Sequence, residues 1–198
     1  MSSSSTDPVT HDALAHVPFA NLINGSWDGA SDSAVLATHN PATGDRLGEV
    51  PDSTQDDVDR AVSTARAAFQ TWGRTTPRER SEYMLALAQA LSAITDEMAL
   101  IETIDAGHPI GHVRGEVVSA ADRLRFYGGA VRTLEGPAAG EYARGYSSMV
   151  RREPIGVVAA ITPWNYPLLA GITKIAPALA RSEEHTSELQ SLTNIVCR

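Results

Sequence analysis

From residue 56 to residue 133 the hydrophobic positions recur every three or four residues. Over 56–72 the recurring set is Val58, Ala61, Val62, Ala65, Phe69 and Trp72, the apolar stripe of an amphipathic helix, with Asp56 and Asp57 at the end where a helix dipole is positive. Thr76-Pro77-Arg78-Glu79 reads as a capping box with proline at the first helical position, and it opens a second helix carrying Met84, Leu87, Ala88, Leu91 and Ile94. Thr95 is placed to cap a third, which continues through Leu100, Ile101 and Ile104 to Gly107, where His108-Pro109 bars continuation. A fourth helix is expected over 111–133. All four stripes read as core packing, with no chemistry assigned to them.

The flanks follow a different rule. Residues 1–18 carry Ser, Thr, Asp and His with few apolar anchors, the composition of a disordered tail. Asn24-Gly25 lies between the apolar runs of Leu22-Ile23 and Trp27, a strong short hairpin signal, and Asn40-Pro41-Ala42-Thr43-Gly44 joins strands at 34–39 and 46–50. Beyond the helices, 142–152 has the mixed polarity of an exposed strand. Residues 155–161 form a nearly all-apolar run that suits a buried parallel strand, with Pro163 ending it. Pro167 then opens an apolar helix with Leu168, Leu169, Ile172, Ile175 and Leu179. Strand, tight loop and helix in succession make the unit in which open α/β sheets place ligands, beyond the carboxyl ends of their strands.

Composition narrows the classes. The 198 residues are 42% hydrophobic and 20% charged, enough for one substantial core, and the net charge of −8 comes without a basic stripe that could follow a phosphate backbone. Nucleic acid is therefore not expected as a partner. No run approaches the ~20 apolar residues of a membrane span, and the first residues lack the pattern of a signal peptide, so a cytoplasmic protein with no membrane partner is expected. The single cysteine, Cys197, allows neither a disulfide framework nor a Cys/His metal cluster.

Only Thr162-Pro163-Trp164-Asn165-Tyr166-Pro167 has the character of a site, because rigid backbone is what a positioned side chain requires. The amide of Asn165 offers two donors that could hold an oxygen gaining negative charge in acyl transfer; equally, its oxygen could cap the following helix. Trp164 could wall a flat ligand or simply pack in the core. Lys174 could reach a cofactor ribose or a reacting group, or be a solvated helix lysine. Local sequence leaves each pair of readings open.

The run Pro154-Ile-Gly-Val-Val-Ala-Ala-Ile-Thr-Pro-Trp-Asn-Tyr-Pro-Leu-Leu169, with Lys174 and Pro177-Ala-Leu-Ala180, closely resembles the segment by which the aldehyde dehydrogenase superfamily enters its NAD-binding domain. Ile23-Asn-Gly-Ser-Trp27, Asn40-Pro-Ala-Thr-Gly44, the helix ending at Trp72 before Pro77-Arg-Glu-Arg80, and Asp105-Ala-Gly-His-Pro109 resemble the same family in the same order, so that residues 19–180 are covered. His108 stands where that family commonly has lysine. The resemblance implies an α/β fold: the N-terminal, cofactor-binding portion of a Rossmann-type domain, with short N-terminal β-hairpins, a helical segment and an incomplete parallel sheet. It implies NAD or NADP as cofactor, an aldehyde as substrate and a homo-oligomeric parent. By the same token Ile161, Thr162, Pro163 and Trp164 would line the nicotinamide-ribose side of the cleft. Asn165, which borders the same cleft, would be the side-chain half of the oxyanion hole, and Lys174 a recurrent lysine near the active site.

After Ala180 the pattern departs from that family. Residues 181–191 resemble an in-frame translation of a DNA-sequencing adapter and 192–198 a readthrough, so 181–198 is expected to be a non-native tail. In the family the oxidation passes through a thioester and needs a thiolate, a hydride acceptor and a glutamate base, and the thiolate and base would come from beyond residue 180. Three readings follow: an aldehyde dehydrogenase portion that is inactive alone, an interaction module that pairs with full-length subunits through 142–152, and a small thiol enzyme using Cys197. Missing sheet neighbours would leave the 155–161 strand with an unpaired apolar edge prone to aggregation.

Overall fold

A computed structural model describes residues 14–133, 140–148 and 154–180. The tail expected over 1–18 lies mostly outside these residues, as do 149–152 of the expected strand and all of 181–198, including Cys197.

The chain opens with two hairpins. Strands β1 (Asn21–Ile23) and β2 (Ser26–Asp28) pair across Asn24 and Gly25, whose φ angles of 54° and 76° supply the left-handed pair that a two-residue hairpin needs. Strands β3 (Val35–His39) and β4 (Arg46–Pro51) pair across the Asn40–Gly44 turn, where Gly44 has φ 79° and its N–H bonds back to the Asn40 carbonyl at 2.8 Å. Both turns match the sequence reading.

Four helices follow: α1 (Gln55–Trp72), α2 (Pro77–Ala93), α3 (Thr95–Ala106) and α4 (Ile110–Ala130), the last extended by a 3-10 turn, Val131–Thr133. Thr76 and Glu79 form the expected capping box at α2, with Glu79 N–H donating to Thr76 Oγ1 at 3.3 Å and Thr76 N–H donating to Glu79 Oε2 at 2.7 Å. A second box, Thr54 with Asp57, starts α1. Thr95 does not cap α3: it is that helix's first residue, and its hydroxyl instead donates to the Ser92 carbonyl at 2.9 Å. With only Ile94 between α2 and α3, no residue is free to adopt the extended backbone of a side-chain cap. Gly107 ends α3 in the left-handed conformation, φ 77°.

The core lies where α4 packs against α2, α3 and α5 (Pro167–Ala180). Met84, Ala88 and Leu91 of α2, Ala99 of α3, Val113, Val117, Ala120, Ala121 and Leu124 of α4, and Ala176 and Ala180 of α5 form one buried cluster. The hairpin β3–β4 joins this core at the end of α3, where Thr38 Oγ1 lies 3.4 Å from Asp105 Oδ1. A Cβ on Gly107 would come within 2.8 Å of Pro41.

Two strand expectations change. The segment expected to be one exposed strand is a hairpin of β5 (Gly140–Ala143) and β6 (Tyr146–Ser148), because Gly145, at φ 81°, turns the chain within it. Residues 154–163 form no strand, and Ile155, Val157, Val158 and Ile161 are exposed rather than buried. A parallel strand exists only by pairing, the three sheets among the described residues are all two-stranded and antiparallel, and Gly156 at φ 109° takes the chain out of the β region. The α/β class stands on the hairpins and helices; the parallel sheet is represented only by this unpaired crossover.

Leu124 is fully buried at the centre of the cluster, so Leu124→Ala is expected to cost about 2–5 kcal/mol in urea unfolding. Val158, 54% exposed in an apolar run, is expected to drive self-association. Val158→Lys should reduce light scattering at a given concentration and leave helical circular dichroism unchanged.

Candidate functional site

The crossover 162–166 runs into α5 between Pro163 and Pro167, neither of which has a backbone N–H to donate. It is held instead by a segment distant in sequence. His108, in the short link between α3 and α4, places Nε2 at 2.7 Å from the Asn165 carbonyl oxygen. A carbonyl only accepts, so Nε2 carries the proton of this bond. The same imidazole stacks on Tyr166, with ring centroids 5.3 Å apart and planes inclined by 6°. His112, one helical turn further on, meets Tyr166 edge-on at 6.3 Å.

Tyr166 caps α5, since its carbonyl accepts the N–H of Ala170 at 2.9 Å. Asn165 precedes that position, and its side-chain amide makes no hydrogen bond among the described residues. The helix-capping alternative for Asn165 is therefore not the arrangement found. Trp164 is 74% exposed, so it does not take the core position that was its other reading. Ile161 and Pro163 are exposed too, while Thr162 is half-buried with its methyl facing α5: a Cβ on Gly171 would lie 3.7 Å from Thr162 Cγ2. Lys174, half-buried, follows Gly171 by three residues and Ala170 by four, which puts it on the helix face that Thr162 approaches. Thr162 and Lys174 thus lie on one face of α5, while Ile161 and Trp164 stand out from the surface.

Behind the histidines is a buried acidic pair. Glu102 of α3 and Glu116 of α4 are both buried, and Glu116 Oε1 lies 2.8 Å from His112 Nε2. Both Glu102 oxygens and Glu116 Oε2 lack a hydrogen-bond partner among the described residues. Desolvation, reinforced by the neighbouring Glu116 charge, pushes the Glu102 carboxyl up to about 7, against a smaller opposing pull from His108. Burial likewise raises Asp105, partly offset by its contact with Thr38. At the far end of the molecule Asp57 is shifted oppositely, to about 2, because the backbone N–H groups of Ser31 and Thr54 donate to its carboxylate. No group of three or more potential metal ligands occurs among the described residues.

Sequence reading singled out Asn165, Lys174 and 161–164, but missed His108 and His112 as partners of the crossover. Their signal is not local: the His108–Asn165 contact spans 57 residues.

Glu102 links pH to stability. Its folded value is raised above the ordinary 4.5, so its contribution is complete below about 4.5 and is lost as pH rises through about 7. Stability is expected to fall across that window with a slope of at most about 1.4 kcal/mol per pH unit, the limit for one proton. Glu102→Gln should flatten the profile in urea titrations between pH 5 and pH 8.

Comparison with known proteins gives a consistent picture. The model of the "Aldehyde dehydrogenase family" matches residues 27–182. Betaine aldehyde dehydrogenase 1 of Oryza sativa subsp. japonica is 37% identical over 183 residues, covering 87% of this chain and 36% of the relative. Phenylacetaldehyde dehydrogenase of Pseudomonas fluorescens is 40% identical over 174 residues, covering 83% of this chain and 34% of the relative. Among solved structures, HpcC from Thermus thermophilus superposes with a TM-score of 0.83 at 31% identity, over 88% of this chain and 35% of its own. A betaine aldehyde dehydrogenase double mutant from Staphylococcus aureus, solved with NAD+, gives 0.82 at 29% identity, over 85% of this chain and 34% of its own. The chain spans about a third of the length of these relatives.

Proposed function

Since the chain belongs to the aldehyde dehydrogenase family, we propose that it is the N-terminal, cofactor-binding portion of an NAD(P)-dependent enzyme that oxidises an aldehyde to a carboxylic acid through a thioester. The observation that carries this is the unengaged Asn165 amide on the crossover that His108 holds, directly ahead of the helix that bears Lys174.

The described residues fit a nicotinamide dinucleotide. Ile161 and Trp164 offer exposed apolar surface to a flat ring, and Thr162, Asn165 and Lys174 supply polar groups within the crossover and on the helix that follows it. When bound, that cofactor supplies the acceptor for the aldehyde hydrogen as hydride. Asn165 donates its side-chain N–H to the aldehyde oxygen as negative charge develops there, and its fixed backbone keeps reorganisation small. Lys174 holds a ribose hydroxyl or a substrate oxygen by its ammonium. Ile161, Thr162, Pro163 and Trp164 exclude water from the nicotinamide-ribose side.

Attack on the aldehyde needs a thiolate, and release of the acid needs a carboxylate base to activate water. We assign neither to the described residues. Glu102 and Glu116 are buried in the helical core, and the chain's one cysteine, Cys197, stands in the 181–198 segment whose sequence departs from the family's pattern. Nucleophile and base are accordingly placed outside residues 19–180, residues 181–198 are taken as no part of the catalytic unit, and the 198-residue polypeptide is taken as inactive by itself. The parent is taken as a homo-oligomer; the second reading of the chain itself is a non-catalytic interaction module that associates with full-length homologous subunits through residues 142–152, which co-purification with a full-length homologue would favour.

Two measurements test the proposal. The purified 198-residue chain, given aldehyde and NAD+ or NADP+, is expected to form no reduced cofactor, and turnover by this chain alone would sink the assignment. With residues 27–180 carried in a full-length family enzyme, Asn165→Ala is expected to lower kcat by about 10²–10³ with KM little changed. An unchanged kcat would remove Asn165 from the chemistry.

A further inference from the structure

Holding a side-chain amide to within a fraction of an ångström requires that its own backbone be held, and the crossover has few means of doing so. Pro163 within it and Pro167 just after it have no N–H to donate, and Asn165 precedes the helix instead of joining its hydrogen-bond ladder. Within the described residues, what holds the Asn165 carbonyl from outside is one imidazole, that of His108, while His112 adds an edge-on contact to the Tyr166 ring.

We propose that His108 is the positioning residue of the Asn165 crossover, acting through its hydrogen bond to the Asn165 carbonyl and its stack on Tyr166; the inference rests on the assignment of Asn165 above. The bond fixes the oxygen of that peptide unit, and the stack fixes the side chain of the next residue. With both held, the peptide plane is set and the Asn165 Cα with it, so the amide keeps only its own two side-chain torsions. His108 is itself rigidly mounted. Gly107 closes α3 with φ 77° and its N–H bonded to the Thr103 carbonyl at 3.0 Å, while Pro109 leads directly into α4. The clamp therefore transmits the position of the α3–α4 junction, set by the two core helices it joins, to a segment that is not buried in the core.

The arrangement predicts a chain of dependence readable without cofactor or substrate. Tyr166 accepts the N–H of Ala170, so a Tyr166 freed from its stack frays the first turn of α5. Amide hydrogen exchange followed by mass spectrometry, on the 198-residue chain at micromolar concentration, reads this in peptides covering Ala170 and Gly171. His108→Ala is expected to speed exchange there about tenfold while α2 and α4 stay protected as in the wild type. His108→Gln restores a donor without the stack, and His108→Phe the stack without a donor; each should recover part of the protection. Tyr166→Ala, which leaves the α3–α4 junction intact, should reproduce the local loss if His108→Ala does not fold. Unaltered exchange at Ala170 in both His108→Ala and Tyr166→Ala would overturn the proposal. So would a loss spread evenly over all helices, or failure of both Gln and Phe to restore protection. Because no aldehyde is involved, this result stands apart from the kinetic fate of Asn165→Ala: the clamp can hold while the amide proves idle, or the amide can act on a crossover held by something else.

Discussion

The close packing of α4 is the constraint on which the molecule depends. Val113, Val117, Ala120, Ala121 and Leu124 are all essentially without solvent contact, and α2, α3 and α5 each rest on that helix. The small residues matter as much as the large ones, since Ala120, Ala121 and Ala176 let helix axes approach, and a Cβ on Gly128 would already touch Met84 at 3.4 Å. Because α4 packs against α5 and begins directly after Pro109, it sets the distance between the α3–α4 junction and the start of α5. The His108–Asn165 contact is thus a consequence of helix packing rather than a feature of the loop alone.

Much of this was legible in the residues. The helical block was readable because amphipathic stripes and a capping box are local in sequence and are satisfied locally in space, as Thr76 and Glu79 illustrate. The two N-terminal hairpins were readable for the same reason, since Asn24-Gly25 and Asn40–Gly44 carry their own turn chemistry. The apolar run at 155–161 was read as a strand because its composition suits one, but composition cannot provide the partner that makes a strand. Thr95 shows the opposite failure: a good capping residue placed where the preceding helix left no room for a cap.

The site divided along the same line. Asn165 and its neighbours stood out because two prolines, a Trp and an Asn in six residues are an unusual density of stiff and functional groups. His108 gave no comparable sign; it looked like the polar end of a helix link, and its role follows only from a contact formed across the fold. The buried Glu102 and Glu116 were equally hidden, sitting within helices where a polar residue ordinarily faces solvent. Burying two carboxyls side by side is costly unless one is neutral, and the upward shift of Glu102 is how the helical core accommodates them.

The grip on the crossover is made by its main chain. His108 holds a carbonyl that every amino acid possesses, not the carboxamide that would do the chemistry. Address and reagent are therefore written separately at residue 165: evolution, or an experimenter, can exchange the functional group there while the scaffold goes on delivering whatever replaces it to the same point in space.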